Sequence, residues 1–122
     1  SDLECIFLSH GHHDHTAATV EIIRLAGGGV KVISHPHLFL HRFYVDRKGR
    51  RRRGGVPEEE GIAEIEAAGG EILQNSKPIE ILPGIWTTGQ IPRITDFEEV
   101  GKSSSGDERI IVLEEEKIIF NV

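Results

Sequence analysis

Cys5-Ile6-Phe7-Leu8-Ser9-His10-Gly11-His12-His13-Asp14-His15-Thr16 is a short apolar run that passes directly into a histidine-rich stretch. His10, His12, Asp14 and His15 are ligand-type side chains within six residues, with His13 as a fifth candidate. A helix would point His10 and His12 to different sides, because residues two apart are not neighbours on its surface. A strand would put Asp14 and His15 on opposite faces. An irregular loop lets all four converge, and Gly11 is expected to supply the backbone freedom for it. Neutral imidazole and carboxylate are good ligands for zinc and similar divalent ions. Two such ions roughly 3.5–4 Å apart can polarise a carbonyl or phosphoryl oxygen between them. The bland alternative is an exposed histidine-rich loop with no metal, and the spacing His-x-His-x-Asp-His between strand and helix argues against it.

Working outward, Cys5 to Leu8 reads as a strand, with Cys5 a buried small hydrophobe within it. Ala18, Ile22, Leu25 and Ala26 recur at helical spacing, so a helix is expected over residues 17–26, capped by Thr16 or Asp14. Gly27-Gly28-Gly29 ends it, and Val30 to Ile33 is the next strand. A strand–loop–helix–strand unit begins an α/β layer architecture, whose sites lie beyond the C-terminal edge of the sheet. Pro36 is expected to open a short helical turn through Arg42, with Phe43 packing behind it. Asp46 to Gly55 has no apolar residue and reads as a solvated loop or hairpin tip. Pro57 and the acids Glu58 to Glu60 suit the start of a helix reaching about Ala68, weakened by Gly61. Short strands are expected at residues 71–73, 79–82 and 85–88. A hairpin of residues 110–113 and 117–120 around Glu114-Glu115-Glu116 follows a polar Ser/Gly loop. Trp86 is expected in the core.

At 122 residues the chain is one modest domain at most. It starts on Ser, contains no Met and ends on an apolar run, from which an internal fragment of a longer protein is expected. A net charge of -6 argues against a generic nucleic-acid binder. One cysteine rules out an internal disulfide framework and agrees with a reducing, cytoplasmic setting. No apolar run approaches the roughly 20 residues of a membrane span.

The segment SHGHHDHTAA resembles the HxHxDH signature of the metallo-β-lactamase superfamily. The resemblance implies a four-layer αββα sandwich, of which residues 1–122 would be a part lacking both ends. It implies two divalent metal ions, zinc or by donor type equally iron or manganese. His10 and His12 would serve one ion, and Asp14 and His15 the other. Asp14 would also orient an attacking water or accept a proton. His13 occupies the variable position. The segments ISHPHLF and TTGQIPRITDFE, residues 87–98, resemble a branch that includes archaeal-type 7,8-dihydropterin-6-methyl-4-(β-D-ribofuranosyl)-aminobenzene-5'-phosphate synthases. Gln90 stands there where an acidic residue is expected. The family also uses a third histidine, a bridging aspartate and a last histidine, and His35, His37 and His41 do not match those motifs. Each ion would thus find only two ligands here, so the chain alone is expected to hold metal weakly and to be inactive.

Other residues carry weaker expectations. His35, at a strand exit, could bind substrate or simply cap and pack. Arg93 is a candidate anchor for an anionic substrate, and a structural ion pair serves equally well. His37 and His41 read as a surface pair. Arg50 to Arg53 could grip phosphate or nucleic acid, though most Gly-flanked charge runs are simply solvated. Ser103-Ser104-Ser105 reads as linker. The leading expectation is a metal-dependent hydrolase or transferase using a metal-bound hydroxide or a metal-polarised phosphate. Its partner would be a small anionic substrate, a pterin or aryl-ribose phosphate if the branch holds, with no membrane. The alternatives are a nucleic-acid-processing nuclease of the same fold and a truncated, non-catalytic product.

Overall fold

The computed structural model describes residues 2–92, 94 and 111–113, with side chains except at positions 44, 45 and 111–113. Arg93, Ser103 to Ser105 and the strand expected at 117–120 lie outside the described residues. The elements are β1 (Cys5–Phe7), α1 (His13–Thr16), α2 (Thr19–Ala26), β2 (Val30–Ser34), β3 (Arg42–Val45) and β4 (Arg51–Gly54). A single 3-10 turn (Glu58–Glu60) follows, then α3 (Ile62–Ala67), β5 (Gly70–Gln74), β6 (Glu80–Leu82), β7 (Ile85–Trp86) and β8 (Ile111–Leu113).

The central sheet has the order β1-β2-β5 and is parallel throughout. Parallel neighbours need long crossovers, here through α1 and α2 between β1 and β2, and through the β3–β4 hairpin and α3 between β2 and β5. β2 is the middle strand, and Val30, Val32, Ile33 and Ser34 are buried with only Lys31 exposed. Such a continuous apolar strand is what a sheet covered on both faces requires. Val20 and Ile23 of α2 and Ile65 of α3 pack with Val30 and Val32, and Leu8, Leu38 and Val56 extend the same core. The architecture is mixed α/β.

Two glycine corners close the helices onto the sheet. Gly27, Gly28 and Gly29 all have positive φ, and the Gly28 N–H donates to Ile23 O (3.0 Å), as the triple-glycine exit requires. Gly69, also at positive φ, lies against this corner: a Cβ there would sit 2.9 Å from Gly28 Cα. Gly29 N–H donates to Gly69 O (2.8 Å), so the ends of α2 and α3 are tied together.

Several local expectations change. The helix expected over 17–26 begins earlier, as the single turn α1, and breaks before α2. Neither Thr16 nor Asp14 caps it, because neither helix has a side-chain cap. Pro36 opens only turns (Leu38 N–H to His35 O, 3.0 Å), and the chain leaves as strand β3 at Arg42. Phe43 and Tyr44 favour that strand. Gly61, extended at ψ -178°, divides the helix expected over 58–68 into the 3-10 turn and α3. β8 pairs with β3, Arg42 opposite Leu113. Trp86 is 62% exposed on the two-residue strand β7, not in the core, and Cys5 is half-buried. Leu25 (81%), Ile91 (72%) and Ile94 (89%) are also exposed.

Candidate metal centre

Because β1, β2 and β5 are parallel, the segments that leave them share one sheet edge. Residues 8–16 leave β1, residues 35–41 leave β2 and residues 75–76 leave β5. Leu8 N–H still bonds Ile33 O (2.9 Å), so the histidine loop starts from a fixed point on the sheet. Gly11 is not among the glycines with positive φ, contrary to the expectation that the loop needs its freedom. Space is the reason instead. Gly11 is buried, and a Cβ would lie 3.0 Å from both Leu38 O and Arg42 Nη1. Arg42 is held there by donating through Nη2 to His37 O at 2.6 Å, so the loop lies directly on the guanidinium.

The side chains of the loop form a chain of contacts. His10 Nε2 and His12 Nδ1 are 3.1 Å apart. The His10 and His15 rings have centroids 4.2 Å apart, and His15 Nε2 lies 3.6 Å from Asp14 Oδ2. Ser9 Oγ is 2.9 Å from His10 Nδ1, which leaves Nε2 facing His12. A zinc ion bonds imidazole nitrogen at about 2.0–2.1 Å and carboxylate oxygen at about 2.0–2.2 Å. Both the His10–His12 and the Asp14–His15 separations are therefore short enough for one ion to bond both members. Among the described residues, no group of three or more His, Cys, Asp or Glu side chains is placed to hold an ion. The donors therefore come in two pairs, each of a chemistry that suits a divalent ion. Partial burial, and then the neighbouring His15 and His12, hold the His10 imidazole below its ordinary pKa against the opposing pull of Asp14. The neutral form so favoured is the one that binds metal.

His13 points away from this group. Its Nδ1 is 3.0 Å from Glu60 Oε1 on the 3-10 turn. His35 lies at the same sheet edge, with Nε2 2.9 Å from Gln90 Oε1 and Nδ1 accepting the His37 N–H at 3.0 Å. Gln90 is itself tied to the edge by its N–H bond to Ser76 O (2.8 Å). The His35 and His37 rings stack edge-on at 4.7 Å.

A model of the metallo-beta-lactamase superfamily matches residues 1–96, more than three-quarters of the 122 residues and the whole histidine loop. The chain belongs to the metallo-beta-lactamase superfamily. It is 29% identical over 89 residues to the 7,8-dihydropterin-6-methyl-4-(beta-D-ribofuranosyl)-aminobenzene-5'-phosphate synthase of Methanocaldococcus jannaschii. That alignment covers 73% of this chain and 30% of the relative, so the chain spans less than a third of the relative's length. No solved structure matches the chain. Among the described residues, no helix is long and apolar enough to cross a membrane.

In this metallo-beta-lactamase superfamily chain, Arg51 to Arg53 of the arginine run lie on strand β4, paired with β3, and Arg50 stands just before it. Its side chains have partners within the hairpin and its flanks. Arg51 lies over the Phe43 ring at 4.0 Å, and Arg53 Nη1 donates to Glu58 Oε1 at 2.9 Å. Arg50 and Arg52 donate through Nε to Asp46 Oδ2 at 2.9 and 3.2 Å. Asp46 Oδ1 accepts the backbone N–H groups of Lys48 and Arg50, both at 2.9 Å, and so builds the tip of the hairpin. These bonds, that of the Arg50 N–H foremost, bring the Asp46 carboxyl from 3.8 to about 2. The folded value lies below the unfolded one. The contribution of Asp46 is therefore fully present above pH 3.8 and is lost as the pH falls through about 2. An NMR titration of the Asp46 carboxyl carbon should give a midpoint near 2, with the Lys48 and Arg50 amides protected above it. A midpoint at the ordinary carboxylate value would show that the tip is not held in this way.

Proposed function

We propose that this chain carries half of the dinuclear centre of a metal-dependent hydrolase or transferase with an αββα sandwich. The observation that carries the reading is the chain of contacts from His12 through His10 and His15 to Asp14, where the segment leaving β1 runs into α1 at the C-terminal edge of a parallel sheet. His10 and His12 hold one divalent ion, and Asp14 and His15 the other, with further ligands from outside these 122 residues. Bound there, the ions supply Lewis acidity, which polarises a carbonyl or phosphoryl oxygen and acidifies water. Zinc, iron and manganese all suit this donor set.

The chain's own residues have separate tasks. Asp14, 80% exposed at its side chain, can accept a proton from water or orient it beside the ions. His10, whose pKa is lowered chiefly by partial burial, has its metal-binding neutral form favoured. Arg42 fixes the floor of the loop through Gly11. His35, presented with Gln90 at the same edge, offers a polar contact for substrate, and Arg93 is assigned to the anionic group. The name of the archaeal relative supports a small phosphorylated substrate of the pterin or aryl-ribose phosphate type. Chelator treatment of the full-length protein should abolish turnover of such a substrate, and added zinc, iron or manganese should restore it. Turnover that survives complete metal removal would contradict the reading.

A further inference from the structure

Helix α1 carries Asp14 and His15, yet it is one turn of four residues with no side-chain cap. Helices this short do not support themselves in water, because nucleation costs more than one turn returns. Something outside the helix has to hold it, and Glu60 is the side chain in position to do so. Its Oε2 accepts the Thr16 hydroxyl at 3.0 Å, and its Oε1 lies 3.0 Å from His13 Nδ1. Thr16 and His13 are the last and first residues of α1, so one carboxylate grips the turn at both ends. The grip comes from 44 residues away, on the 3-10 turn that precedes α3.

The surroundings set Glu60 apart from an ordinary surface acid. Its side chain is 13% exposed, against 73% for Glu58 in the same run. Thr16 is 1% exposed and its hydroxyl bond to Glu60 is part-buried, where a lost partner is costly. The Thr16 hydroxyl is 3.4 and 3.5 Å from the carbonyls of His12 and His13, longer than its bond to Glu60. Metal centres depend on such supporting carboxylates because ligand side chains must be oriented before the ion arrives.

We infer that Glu60 is a positioning residue of the metal loop: through Thr16 and His13 it fixes the turn from which Asp14 and His15 reach the second ion. It touches neither ion nor substrate. The inference rests on the proposed dinuclear reading and names a residue that reading does not require.

The test is cobalt(II) binding by the full-length protein, followed by competition with a chromophoric chelator and by the visible cobalt spectrum. Glu60→Ala should weaken binding at one site by about 10–100-fold and change the spectrum, as removal of a ligand-supporting carboxylate does. Glu60→Gln keeps an oxygen that accepts the Thr16 hydroxyl and should restore most of the affinity. Thr16→Val, which keeps the side-chain volume but not the hydroxyl, should weaken the same site, and it carries the test if Glu60→Ala does not fold. Wild-type affinity and spectrum in folded Glu60→Ala and Thr16→Val would overturn the inference, even with a lowered melting temperature. His12→Ala in the same assay separates the two ideas. If it loses cobalt while the Glu60 and Thr16 variants do not, only the role of Glu60 falls. If it also retains both ions, the dinuclear reading falls with it.

Discussion

Replacing His12 by alanine should strip the full-length protein of one of the two metal ions proposed for it and of the proposed turnover, while leaving the fold in place. His12 is exposed and stands just before α1, outside the apolar core, so its removal opens no cavity. Its Nδ1 lies 3.1 Å from His10 Nε2, close enough for the two to share an ion. Without it, His10 is left as a single ligand from this chain, against the three or four protein ligands that zinc sites use. Loss of a directly bonded ligand should exceed the roughly 10–100-fold that loss of a supporting residue costs. Metal analysis of dialysed protein, together with turnover, checks the result. Unchanged metal content and rate would contradict the assignment.

Ile65→Ala should be the most damaging substitution away from the metal loop, at about 2–5 kcal/mol for a fully buried isoleucine. Ile65 is 0% exposed and joins Ile23 of α2 over the central sheet. The backbone of β5 is pressed against the same pair: a Cβ on Gly70 would lie 2.7 Å from Ile65 Cγ2 and 2.9 Å from Ile23 Cδ1. Such close backbone approach leaves the neighbours little room to collapse into the space that alanine would open. Domains of this kind are stable by about 5–15 kcal/mol, so the loss is a large fraction of the whole. Ile65→Val provides the graded comparison, at about 0.5–1.5 kcal/mol. Urea unfolding should show the midpoint falling in that order with an unchanged slope. Equal midpoints for the two variants would mean that α3 is not packed on the sheet as described.

The features legible in the sequence are those that local pattern controls. The apolar run before the loop, the triple-glycine exit and the strand from Val30 follow from short-range rules, and all three are present. His10 and His12 meet just before α1, but Asp14 and His15 stand on that helical turn and not on an irregular loop, and among the described residues no three of these side chains are placed to hold one ion. What was not legible depends on residues far apart. Glu60 looks like one of three acids at a helix start, and only its contact across 44 residues gives it a separate role. The pairing of His35 with Gln90 spans 55 residues. The arginines look free in sequence because Asp46, Phe43 and Glu58 meet them only once β3 and β4 pair. Gly11 reads in sequence as a source of backbone freedom, whereas its position demands space, a distinction that needs the location of Leu38 and Arg42. Trp86 is expected in the core, yet it is exposed on the two-residue strand β7.

Anomalous diffraction from crystals of the full-length protein grown with zinc tests the central claim most directly. Two peaks roughly 3.5–4 Å apart are predicted, in keeping with dinuclear hydrolase centres. One should lie within bonding distance of His10 and His12, and the other within bonding distance of Asp14 and His15. Zinc bound elsewhere, with these four side chains left bare, would contradict it.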